Sequence, residues 1–151
     1  MGPMDVNIGR DTLLALAAVA WADGTMNPKE AAGLRSAARQ LSLGGEDLKT
    51  VERSVTQRVG IDEVETVRMA RLTRLFTYAA ATWIAELDGA LSPQEETALN
   101  LLGDRLGLSQ VARERARSVA HNNSSAGGAD AYDLVRLRSQ LSAGLSQIGN
   151  E

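Results

Sequence analysis

An internal repeat limits the folds open to this chain more than any other feature of the sequence. Residues 20–34 (AWADGTMNPKEAAGL) match residues 85–99 (AELDGALSPQEETAL), and Asp23 and Asp88 place the two copies 65 residues apart. Both copies read D-G-x-[M/L]-[N/S]-P-x-E, between two segments with helical spacing of apolar residues. Because a single helix pair cannot bury its own apolar face, we expect two related helical units packed on each other.

The repeated block is a helix-start signature. An N-cap residue is followed by proline at the first helical position and, three residues after the cap, by a glutamate that closes a capping box. The glycine before the cap allows positive φ and ends the preceding helix. We therefore assign the caps Asn27 and Ser92, the prolines Pro28 and Pro93, the capping glutamates Glu30 and Glu95, and the helix-ending glycines Gly24 and Gly89.

Helical spacing continues along most of the chain. It is most regular from residue 62 to residue 87, which predicts one long amphipathic helix with Leu75 and Trp83 in the core. The other predicted helices span 11–22, 28–41, 46–58, 93–106, 109–120 and 130–148. The expected fold class is all-α, with about seven helices in two pseudo-repeated units plus a C-terminal helix.

The repeat also predicts how the chain is organised. The expected parts are a vector-derived remnant at 1–3 and a single helical domain at 4–151, with repeat units at about 10–58 and 62–120, a small polar linker at 121–130 and a tail helix at 130–148. The longest apolar stretch, Leu13–Ala22, is too short to cross a bilayer and lacks the flanks of a signal peptide. A cytoplasmic protein is therefore expected.

The amino-acid composition excludes several classes of function. The 16 Lys and Arg against 19 Asp and Glu give a net charge of −3, which argues against specific nucleic-acid binding. Cysteine is absent and His121 is the only histidine, so thiol chemistry and multi-histidine metal sites are excluded. His121 has no acidic or nucleophilic neighbour in the sequence, and we interpret it as a solvated or helix-terminal residue. No nucleophile stands beside a base, so we expect a protein that is not an enzyme. The less favoured alternative is a metal-dependent enzyme, in which paired carboxylates would act as metal ligands or as acid and base.

Asp23 and Asp88 suggest a metal site as an alternative. Each stands at the negative end of a helix, where an Asx-turn or a bound cation has to offset the repulsion. The block resembles the second half of a calcium-binding loop, but the opening ligand positions fall on Val19 and Ile84, so a standard EF-hand is rejected. A composite site for calcium or magnesium stays open, and its ligands are Asp23, Glu30, Glu86, Asp88 and Glu95.

These two blocks resemble the TerB-like family of tellurite-resistance proteins, whose fold also occurs in the N-terminal region of DjlA-type co-chaperones. The resemblance covers roughly residues 10–120. It implies an all-helical interaction module in a stress-response or membrane-associated assembly, with an acidic surface that binds divalent metal. The acidic positions of the family fall on Asp23, Glu30, Asp88 and Glu95. This chain departs from the pattern at Trp21, where the second copy has Glu86, and at Lys29.

The interpretation that these features favour is a module that binds another protein. We expect a basic partner opposite Glu86, Asp88, Glu95 and Glu96. Arginines at helical spacing are interpreted as solvated faces, or alternatively as contacts to an acidic or phosphorylated partner: Arg68, Arg71, Arg74, Arg113, Arg115 and Arg117. Small alanine side chains allow two helices to pack closely, which indicates positions either in the core or at a homodimer interface. These alanines are Ala15, Ala17, Ala18, Ala20, Ala79, Ala80 and Ala81.

Overall fold

The computed structural model describes residues 10–26, 28–40, 45–64, 66, 69, 71–86 and 92–123. Every regular element in these ranges is helical, which confirms the all-α class. The elements are α1 (Arg10–Ala20), α2 (Pro28–Gln40), α3 (Gly45–Thr56), α4 (Arg71–Ala85), α5 (Pro93–Leu106) and α6 (Gln110–Asn123), with short 3₁₀ turns at Trp21–Asp23 and Ile61–Glu63. The predicted tail helix at 130–148 lies outside the described residues, so a total of seven helices stays a prediction.

The two repeat units meet where α1 crosses α4. Thr12 on α1 and Thr77 on α4 are hydrogen-bonded through their buried hydroxyl groups at 2.9 Å. They are 65 residues apart, as Asp23 and Asp88 are, so equivalent residues of the two copies touch. Other contacts are reciprocal, because α1 packs on α5 while α4 packs on α2. Reciprocal contacts of this kind place an approximate two-fold axis at the crossing.

Helices α1 and α4 form the centre of the core together, because α4 packs against α1, α2, α5 and α6, and α1 packs against α2, α3, α4 and α5. Leu75 and Trp83 are 2% and 4% exposed, which confirms their predicted core positions. Small side chains allow α1 and α4 to approach closely. All seven alanines singled out in the sequence are buried within this one chain, which assigns them to its core: Ala15, Ala17, Ala18, Ala20, Ala79, Ala80 and Ala81.

The prediction of one long helix over residues 62–87 is wrong. Helix α4 begins only at Arg71, and a 3₁₀ turn at Ile61–Glu63 precedes it. Val64 and Met69 lie between these elements in non-helical conformation, although both are buried. These two apolar side chains therefore lie in the core, but the backbone that carries them is not helical.

Two arginine side chains explain why this segment does not need a helix. Arg105 Nε donates to the carbonyl of Val64 at 2.9 Å. Arg74 Nη2 and Nε donate to the carbonyls of Thr66 and Met69, at 3.0 and 2.9 Å. A buried carbonyl needs a donor, and here guanidinium groups supply donors that the backbone amides of a helix would otherwise provide. The carbonyl of Thr66 also accepts from the amide of Met69 at 3.0 Å. Because Arg105 comes from α5, 41 residues further along the chain, no local pattern could reveal this.

Helix α6 extends further than predicted. It ends at Asn123, so the first residues of the expected linker at 121–130 are helical, and the rest lies outside the described residues. His121 stands in the last turn of this helix. Within the described ranges, no helix combines the length and the apolar character that a bilayer span requires.

Candidate functional site

The second repeat block begins its helix as the sequence predicts. The amide of Glu95 donates to Ser92 Oγ, and the amide of Ser92 donates to Glu95 Oε1, both at 3.0 Å. This is a capping box with Pro93 in the first turn of α5. In the first block, Gly24 has a φ of 94°, which a glycine adopts without side-chain strain. Asn27, Gly89 and the turn around Asp88 lie outside the described residues.

The two capping glutamates are buried. Glu30 and Glu95 occupy equivalent positions in α2 and α5, and each is 1% exposed. The prediction that Glu95 faces a partner is therefore wrong, because a glutamate at this position folds back over the start of its own helix. In the described part of the chain, Glu95 Oε2 is buried and has no hydrogen-bond partner. A buried polar atom without a partner costs about 1–3 kcal/mol.

Glu86 contacts the last helix of its own unit. Its Oε2 lies 3.2 Å from Nε2 of His121. The sequence offers His121 no acidic neighbour, but the fold brings one to it from the end of α4. Trp21, the equivalent of Glu86 in the first unit, also contacts its third helix, because its indole Nε1 donates to the carbonyl of Ser54 at 2.8 Å. The two residues differ chemically, and each ties the end of a first helix to a third helix.

Glu96 forms a bidentate ion pair near this contact. Arg117 Nη1 and Nη2 donate to the two carboxylate oxygens at 3.1 and 3.3 Å, in a fork that favours this pairing. The hydrogen bonds to Glu96 raise the pKa of the Arg117 guanidinium further above its ordinary value. Burial raises the pKa of the Tyr78 phenol, although the positive charges of Arg117 and Arg113 act in the opposite direction. Two of the acidic residues predicted to face a partner, Glu86 and Glu96, therefore hold α6 in place.

The proposed metal ligands are only partly described. Asp88 and the side chain of Asp23 lie outside the described part of the structure. Glu86 contacts His121, while Glu30 and Glu95 are buried at their helix starts. Among the described residues, no three Asp, Glu or His side chains come together as ligands for one ion. The composite cation site stays a prediction, and the unpartnered Oε2 of Glu95 is the observation that favours it.

The arginines expected on solvated faces have specific structural partners. Arg113 Nη2 forms an ion pair with Asp104 at 2.8 Å. Arg74 also donates to the carbonyl of Leu106 at 2.7 Å, at the end of α5. Arg71 and Arg74 line a cavity of about 280 Å³ near the start of α6. Arg74 donates to carbonyl groups, so among the described lining residues the exposed Arg71 is the cation that a ligand could meet. Arg68 lies outside the described residues, and Arg115 is exposed on α6.

An open apolar groove lies between the two repeat units. It has a volume of about 330 Å³ and runs from the 3₁₀ turn after α1 to the outer face of α5. Trp21, Ile61 and Leu101 supply its largest apolar side chains, and Arg58 stands in its lining. The hydrogen bond from Trp21 to Ser54 fixes the indole at one wall. We call this site the Trp21–Leu101 groove.

The groove has one large apolar and one basic side chain exposed in its lining. Leu101 is 53% exposed, although α5 already buries Leu99, Leu102 and Leu106 on its core side. Arg58 is exposed and forms no ion pair with another described residue. Sequence reasoning missed this site. The available signal was Leu101, an apolar residue beside the core stripe of its helix, but a lone exposed leucine is ordinary until a cavity adjoins it.

Comparison with known proteins adds no identification. No protein-family model matches the chain, and comparisons with curated proteins and with solved structures give no significant match. The function therefore has to be inferred from the geometry and chemistry of the site itself.

Proposed function

We propose that this chain is a non-enzymatic helical module of the TerB-like type that binds another protein through the Trp21–Leu101 groove. The repeat blocks suggest a stress-response or membrane-associated assembly as its setting. The observation that supports binding is an open cavity of about 330 Å³ beside a leucine that is 53% exposed. Exposed apolar surface next to a concavity is typical of protein-binding sites.

The groove is a better contact surface than the acidic face expected from the sequence. Glu96 is paired with Arg117, and Glu86 is in contact with His121. A partner that used these carboxylates would first have to separate them from their present contacts. The apolar side chains of the groove need no such rearrangement. The expected partner segment is therefore apolar, with an acidic group opposite Arg58.

Replacing Leu101 with glutamate tests the proposal. A buried charge at the centre of an apolar contact is expected to lower partner affinity at least about tenfold, because central apolar contacts carry most of the binding energy. Val111→Glu is the matched control, since Val111 is 60% exposed on α6 and does not line the groove. Affinity purification from the native host identifies proteins that the wild type retains, and calorimetry then gives their dissociation constants.

The comparison of the two variants decides the result. The proposal requires that Val111→Glu retains a partner that Leu101→Glu loses, while circular dichroism shows both variants folded. Equal retention by both would remove the groove as the binding surface. Loss of the partner in both would point to a contact that includes α6.

Divalent metal binding is the second candidate function, favoured by the buried Oε2 of Glu95. An ion that binds only the folded state stabilises it by about 2.7 kcal/mol at 100 times its dissociation constant. Calcium or magnesium is therefore expected to raise the melting temperature of the wild type, and Asp23→Asn with Asp88→Asn should abolish this rise. Asp47→Asn on the exposed side of α3 is the control and should leave it intact. A melting temperature that neither ion changes would argue against this function.

A further inference from the structure

The chain continues beyond the last described residue with a segment that has an apolar stripe of its own. Residues 130–148 carry apolar side chains three or four positions apart, at Leu134, Leu137, Leu141, Leu145 and Ile148. This spacing places them on one face of a helix, and such a face needs an apolar surface to cover it. We propose that residues 130–148 of this chain occupy the Trp21–Leu101 groove, so that a partner has to displace the chain's own tail.

The end of α6 lies close enough for the segment to reach the groove. The contact of Arg117 with Glu96 holds α6 beside the first turn of α5, and the contact of His121 with Glu86 holds its last turn beside the end of α4. The groove begins at Gln94 and Thr97, on the other side of that same turn. A helix is about 10–12 Å across. Residues 124–129 (SSAGGA) span up to about 20 Å when extended, which is enough to pass around the start of α5.

The charges of the segment and the groove are complementary. Asp130 and Asp133 stand at the start of the segment, before its apolar stripe. Arg58 is exposed in the groove lining and has no ion pair among the described residues. The acidic start of the tail can therefore approach Arg58, while the leucines after it cover Trp21 and Leu101. The partner segment expected above has the same apolar and acidic character, so the tail and the partner would compete for the groove.

A paramagnetic label in the groove tests this placement in the full chain. The protein has no cysteine, so Thr97→Cys provides a single attachment point for a nitroxide, at an exposed residue of the groove. We expect the amide signals of residues 134–148 to be lost when the label is active and to return when it is reduced. A label attached through Val111→Cys is the control and should leave these signals in place. If neither label affects the tail, or both affect it equally, the proposal is wrong.

A mixed sample separates the tail of the same molecule from that of a second copy. Spin-labelled protein without isotope is added to isotope-labelled protein without a spin label. Docking within one chain predicts that the tail signals survive in the mixture. Their loss in the mixture would assign the groove to the tail of a second copy and overturn the proposal.

Substitutions in the tail link this result to function. Leu137→Asp with Leu141→Asp should restore the tail signals in the presence of the label at position 97, whereas Ser139→Asp with Ser142→Asp, on another face, should not. The regulatory consequence depends on the proposed function, so the leucine pair should also strengthen partner binding. If the tail docks but Leu101→Glu leaves partner binding unchanged, the proposed function fails while the placement of the tail stands.

Discussion

Replacing Trp83 with alanine is expected to lower the free energy of unfolding by about 3–5 kcal/mol. Trp83 is 4% exposed on α4, the helix that contacts most of the others, so truncation leaves a cavity at the centre of the fold. The surrounding helices can collapse only partly into that space, because their own contacts hold them apart. This is a large share of the 5–15 kcal/mol that stabilises a typical domain.

Urea unfolding followed by circular dichroism measures this effect. Val111→Ala is the control, because a residue that is 60% exposed should change stability by less than about 0.5 kcal/mol. A lower midpoint with an unchanged slope would show that stability alone has changed. If Trp83→Ala were as stable as the control, the indole would not be packed in the core.

Replacing Arg74 with alanine is expected to lower the free energy of unfolding by about 2–4 kcal/mol, although Arg74 forms no ion pair with another described residue. Its guanidinium donates to the carbonyls of Met69, Thr66 and Leu106, at 2.9, 3.0 and 2.7 Å. These bonds join the non-helical segment before α4 to the end of α5. Without them the carbonyls of Met69 and Leu106 lose this donor, whereas the carbonyl of Thr66 keeps the amide of Met69 at 3.0 Å. Water can replace the guanidinium only where the site is open.

Two neighbouring variants make the Arg74 result specific. Arg71→Ala removes an exposed arginine one turn earlier on α4 and should change stability by less than about 0.5 kcal/mol. Arg74→Lys should recover only part of the loss, because an ammonium group cannot match the planar fork of a guanidinium. Amide exchange should also become faster at Met69 and Gly107, where the affected segments end. Equal stability of the two alanine variants would mean that the carbonyl bonds contribute little.

Local sequence chemistry determined the start of α5 and the core positions on α4. The capping box at Ser92 and Glu95 follows from residue types three positions apart, so their neighbours in sequence are enough to specify it. Leu75 and Trp83 could be assigned to the core because helical spacing depends only on order along the chain. The repeat offset likewise pointed to two equivalent units, and Thr12 and Thr77 meet at that separation.

Tertiary structure decided what depends on residues far apart in sequence. Val64, Thr66 and Met69 before α4 are not helical, and Arg105 and Arg74 supply donors to their carbonyl groups. Arg117, which lies 21 residues away, neutralises Glu96. The acidic residues in the repeat block therefore do not by themselves predict the charge of its surface. The Trp21–Leu101 groove exists only where the two units meet. Short-range patterns specify hydrogen bonds within a turn and the face of a helix, whereas ion pairs, substitute donors and cavities depend on how helices pack.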